Sequence, residues 1–167
     1  FKNVKALFIL SIGGYLLHST DNIIISAFVG VGKVGLYSNY TLIINQVKSF
    51  LMPLMNNAKD SVGNLLATEN TEKQMEVFYA MFFLNFIIVA WPTCVLFNAL
   101  NPFITWWLGD EYALSLTVVA IICLNYYIDL IRSSIMIFKN AAGIFSPDRY
   151  IVFVTAAVNL IVSIYLV

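Results

Sequence analysis

Five apolar runs, each about as long as the hydrocarbon core of a bilayer is thick, constrain this chain more than any other feature. They cover Val4–Phe28, Leu36–Ala58, Val77–Leu100, Ala113–Phe138 and Tyr150–Val167. A stretch of that length crosses lipid only as a helix, because lipid offers the backbone N–H and C=O groups no partners. The expected fold class is therefore all-α: a polytopic transmembrane helix bundle with about five membrane helices. Composition agrees, at 60% hydrophobic and 11% charged, where soluble domains run near 45–50% and about 25%. A net charge of +0 gives no reason to expect a nucleic-acid partner. The chain does not begin with Met and its last apolar run reaches the final residue, so a piece of a longer membrane protein is expected.

The links between the runs differ in character. Gly30, Gly32, Lys33 and Gly35 form a short link expected to turn the chain back. Tyr37 and Tyr40 flank the second run, where interfacial aromatics belong, and Pro53 is expected to kink its lower half. Lys59 to Glu76 is the sizeable hydrophilic stretch, expected as a solvated loop whose second part could form a short surface helix. Trp91-Pro92 marks an expected kink in the third run. Pro102 to Tyr112, with Trp106, Trp107, Asp110 and Glu111, is expected to lie flat at headgroup level. Lys139 to Arg149 is a short loop.

Basic residues orient the bundle, since Lys and Arg concentrate on the cytoplasmic side. Lys2, Lys5, Lys59, Lys73, Lys139 and Arg149 would share one side and Lys33 the other. The start of the chain is then cytoplasmic, and Trp106-Trp107 lie outside.

Polar residues within the runs are the candidates for function, because ionisable side chains at membrane depth are costly. In the first run Ser11, Gly14, Tyr15, His18, Asp21, Asn22 and Ser26 share one helical face. In the second, Asn45 and Lys48 lie at helical spacing with Gln46 beside them, and Lys48 falls near mid-bilayer. Lys48 could meet His18 or Asp21 across the first helix pair. In the fourth, Asp129 and Arg132 are one turn apart, so that they could pair or Arg132 could snorkel to the inner headgroups. Asn45, Gln46 and Asn125 also suit interhelical hydrogen bonding. Cys94 and Cys123 read as small core residues.

Enzyme motifs are largely missing. There is a single His, and no Gly-x-Ser-x-Gly elbow occurs. Gly30-Val31-Gly32-Lys33-Val34-Gly35 spells a dinucleotide-binding pattern, but between two apolar runs instead of after a strand. Neither catalysis nor a cofactor is expected.

Ser19-Thr20-Asp21-Asn22-Ile23-Ile24-Ile25-Ser26 and Val34-Gly35-Leu36-Tyr37-Ser38-Asn39-Tyr40 resemble the polysaccharide-biosynthesis membrane proteins, the O-antigen and capsular oligosaccharide flippases. Phe103-Ile104-Thr105-Trp106-Trp107-Leu108-Gly109-Asp110-Glu111-Tyr112 is similar to the short extracytoplasmic piece those proteins carry in their C-terminal half. That family belongs to the multidrug/oligosaccharidyl-lipid/polysaccharide exporter superfamily, built from two bundles of six helices. The resemblance implies that residues 1–167 form most of a second bundle, helices seven to eleven, of a bacterial cytoplasmic-membrane protein. It implies as partners the membrane lipid, an undecaprenyl-linked oligosaccharide and the remaining helices of the full-length protein. Alternating access would carry the lipid-linked sugar between leaflets. His18, Asp21, Asn45, Gln46, Lys48, Asp129 and Arg132 are the candidate substrate-binding residues, resting on their polarity within the apolar runs. A multidrug or cation antiporter using Asp21 or Asp129, and a non-transporting subunit of polysaccharide assembly, remain as alternatives.

Overall fold

The computed structural model describes residues 30–143 together with 154, 157 and 158, the last three helical. The chain divides into two compact units, Leu36–Ala142 and Phe1–Gly35 with Gly143–Val167, and the candidate site lies in the first. The expected first and fifth membrane runs, with His18 and Asp21, lie outside the described residues apart from those three.

Every regular element described is helical: α1 (Val31–Asn56), α2 (Lys59–Thr68), α3 (Thr71–Leu108), α4 (Leu116–Ile131) and α5 (Ser133–Ala141), with a 3-10 turn at Asp110–Tyr112. Among the described residues, two stretches are long and apolar enough to cross a membrane, α3 and the α4–α5 stretch Leu116–Ala141. α1 has the length, at 26 residues, but its interior Asn39, Asn45, Gln46 and Lys48 lower its hydropathy below theirs.

Several boundaries differ from the sequence expectation. Of the glycines in the link only Gly30, with φ 105°, lies outside a helix; α1 starts at Val31 and takes Gly32, Lys33 and Gly35 into its first turns. The hydrophilic stretch is helix on both sides of a cap. α2 occupies its first part, with Val62 buried. Asn70 then starts α3 by accepting the Lys73 N–H at 2.9 Å, which satisfies one of the donors every helix start leaves without an internal partner.

α3 is the longest element, and neither Pro92 nor Pro102 ends it. Each proline removes one i→i−4 bond. The Thr93 hydroxyl donates to the Val89 carbonyl and the Asn98 amide to that of Cys94, both at 2.7 Å, which adds side-chain bonds near the interruptions. The expected flat piece is in consequence no separate element: Phe103, Trp106 and Trp107 ride on the last turns of α3, where Phe103 touches both Trp rings. Gly109 stops the helix with φ 111°, a conformation only glycine adopts without strain. The 38 residues of α3 span about 57 Å at about 1.5 Å each. No charged residue occurs between Val77 and Leu108.

α3 packs along α4 and α2 packs on α5, while the Tyr40 and Lys48 side chains of α1 reach α3 and α4. The core contains Tyr40, Val89, Leu100, Ile104, Val119 and Leu130, all essentially without solvent contact. Tyr40 is 0% exposed. By contrast, only 17% of the apolar window of α3 is buried. Trp91 and Trp106 are 73% and 80% exposed. An apolar face of this extent demands lipid or further helices around it.

Candidate functional site

Among the described residues, Tyr40 and Lys48 each tie α1 to the α3–α4 hairpin. The first tie is a closed set of neutral hydrogen bonds. The Tyr40 hydroxyl donates to Asn101 Oδ1 at 2.5 Å and accepts the Leu114 N–H at 2.9 Å, while Asn101 Nδ2 donates to the Leu114 carbonyl at 3.0 Å. The peptide groups just before α4, which no helix or strand satisfies, are thereby paired inside the protein.

The second is ionic. The Lys48 ammonium donates to Asp129 Oδ2 and forms a salt bridge from α1 to α4. Their side chains keep 32% and 58% exposure, so neither charge is fully desolvated. The pair lies along a groove of about 320 Å³ between α1, the start of α2 and the α4–α5 stretch. Lys48, Met52 and Asn56 line it from α1, spaced four residues apart on one helical face, and Lys59 from α2. Asp129, Arg132, Ser133, Met136, Ile137 and Asn140 line the opposite wall.

The local reason for that wall is the junction at Arg132, where α4 gives way to α5. Asn85 of α3, only 4% exposed, donates its amide to the carbonyls of Leu130 at 3.2 Å and Ile131 at 3.1 Å. It also reaches the Ser133 hydroxyl at 3.4 Å, and that hydroxyl contacts Met55 Sδ at 3.6 Å. Asn85 thus braces the turn that carries Asp129 and Arg132. Its Oδ1 and the Tyr126 hydroxyl are buried without a partner among the described residues.

Of the sequence candidates, Lys48, Asp129 and Arg132 come together in this groove. Asp129 pairs with Lys48 across two helices and not with Arg132 one turn away. Asn45 and Gln46 are exposed on α1 and are not among the groove-lining residues. Sequence reasoning missed Asn85, Asn101, Lys59, Asn56 and Asn140. An Asn inside an apolar run signals an unmet need for partners, which applied to Asn85 and Asn101 as much as to Asn125. Cys94, expected in the core, is exposed; Cys123 is buried, and both line a cavity of about 290 Å³ between α3 and α4. No group of three or more His, Cys, Asp or Glu side chains suited to a metal occurs among the described residues.

Chemically, the groove offers three cations against one carboxylate, with amide and hydroxyl groups between them. It can hold an anion, and it can exchange the carboxylate on Lys48 for another acceptor. No family model, no curated protein and no solved structure matches the chain.

Proposed function

We propose that this chain is part of a multi-span helical membrane transporter, a flippase that moves a lipid-linked oligosaccharide across the bacterial cytoplasmic membrane. The observation that carries the reading is the Lys48–Asp129 pair, which joins α1 to a stretch apolar enough to cross a bilayer and borders an open groove. Ionisable residues in such segments mark substrate or ion pathways. The phosphate and sugar hydroxyls of a lipid-linked head group need replacement partners once they leave water. Lys48 supplies one when its carboxylate partner is displaced, and the lipid tail stays in the bilayer. The return of Asp129 to Lys48 after release would reset the groove, and rocking of one bundle against another would expose it to each side in turn. The five-helix arrangement of residues 1–167, and a cytoplasmic start to the chain, belong to the same proposal.

A cation antiporter is the second reading, favoured by the greater exposure of Asp129 within the pair. There the carboxylate would bind the cargo and Lys48 would be the competitor. A non-transporting subunit would predict no change in lipid-linked sugar distribution when the gene is lost.

The test is to delete the full-length gene and measure which membrane leaflet holds the lipid-linked oligosaccharide, together with the surface polymer. Accumulation on the cytoplasmic side with loss of polymer is expected. Complementation with Lys48→Ala should restore export about tenfold less well than wild type, the equivalent of one charge-assisted hydrogen bond. Normal leaflet distribution in the deletion strain would refute the flippase reading. Efflux of small cations that depends on a sodium or proton gradient would establish the antiporter instead.

A further inference from the structure

We infer that the inner end of the groove, between Lys59 and Arg132, binds the phosphate head group of an anionic membrane phospholipid. The Lys48–Asp129 pair cancels its own charge. Lys59 and Arg132 line the same groove, and neither faces an acid at ion-pair distance among the described residues, so the groove keeps two cations in excess. Arg132 is the more telling of the two. It sits where α4 gives way to α5, within a stretch apolar enough to span a membrane, and an uncompensated guanidinium there requires an anion or water. Its planar fork matches the paired oxygens of a phosphate.

The remaining walls suit the rest of a head group. Asn56 and Asn140 add amide groups, and Met52 and Met136 give an adaptable apolar surface for a glycerol backbone. The volume of about 320 Å³ lies at the small end of ligand sites. Lys59 opens α2, which follows α1 directly. The anion would therefore bridge the turn between α1 and α2 to the α4–α5 junction.

The inference rests on the membrane placement proposed above and not on transport, so the two are tested separately. Full-length protein, extracted in a neutral detergent, is mixed with phosphatidylglycerol, phosphatidylcholine or inorganic phosphate, and retained lipid is counted by native mass spectrometry. Phosphatidylglycerol should be retained over phosphatidylcholine, whose choline cation offsets the same phosphodiester. Arg132→Gln and Lys59→Gln should each lower retention about fivefold, as expected for one basic contact to an anionic head group. Arg132→Lys, which keeps the charge but not the fork, should retain more lipid than Arg132→Gln and less than wild type, which guards against a merely misfolded variant. Lys73→Gln, outside the groove and paired with Glu76 at 2.8 Å, should leave retention unchanged. Displacement of the lipid by inorganic phosphate would support the oxyanion site while identifying a free anion as its ligand. Equal retention of both lipids, or equal losses in Lys73→Gln and Arg132→Gln, would overturn the inference. Recovery of the protein without detergent would refute the membrane placement, a result distinct from a membrane protein that retains no lipid.

Discussion

The ties of α1 through Tyr40 and through Lys48 solve the same problem in opposite ways. At Tyr40, a fully buried hydroxyl joins the half-buried Asn101 and Leu114, and every bond in the set closes on another member. At Lys48, full charges meet in an open groove and neither side chain is fully covered. A buried neutral network stabilises because no water can replace a lost partner. A partly exposed ion pair contributes little to stability, because solvent screens it and both long side chains lose entropy in making it. One tie holds the body together. The other is free to change partners.

Mutations can break that contrast. The largest effect is expected for Asn101→Leu, which strips Tyr40 of its acceptor and the Leu114 carbonyl of its donor. A buried hydroxyl and a half-buried carbonyl left unsatisfied should lower unfolding stability by about 3 kcal/mol, read as a fall in the thermal midpoint of the detergent-solubilised full-length protein. Tyr40→Phe keeps the ring in the core but orphans Asn101 Oδ1 and the Leu114 N–H, with an expected loss of about 2 kcal/mol by the same measurement. Asn85→Leu should lose about 1 kcal/mol: it frees two carbonyls at the α4–α5 junction but also removes an acceptor that has no partner. Lys48→Gln should change stability by less than about 1 kcal/mol while reducing export. A stability loss as large as that of Tyr40→Phe would show the groove to be sealed and would erase the distinction between the two ties.

The broad plan of this unit was legible in the sequence because it depends on local periodicity. The apolar run Val77–Leu100 lies within α3, Ala113–Phe138 overlaps the α4–α5 stretch from Leu116 onward, and Lys48, Asp129 and Arg132 stood out against apolar surroundings. What the sequence hid depends on contacts between helices. Asp129 has Arg132 one turn away, which suggests a local pair. Its actual partner is set by the rotation of α1 against α4, and no single helix specifies that rotation. Pro102 suggested a break, yet the helix continues through it to Leu108. The burial of Tyr40 was hidden because its partner, Asn101, lies 61 residues away. The Asn70 cap was the exception, since an Asn followed by an acidic residue, Glu72, in the first turn is a local signal that could have located the start of α3.

Pairing Lys48 with Asp129 also determines what a membrane voltage can do to this protein. Held together, the ammonium and carboxylate form a short dipole of zero net charge, and a potential does almost no work when α1 and α4 shift as one. Carried apart along the field, each full charge would couple to it at about 2.3 kcal/mol per 100 mV. A step that keeps the pair intact would therefore proceed at the same rate in an energised and a collapsed membrane, whereas one that carries its members apart along the bilayer normal would be driven or opposed by the potential.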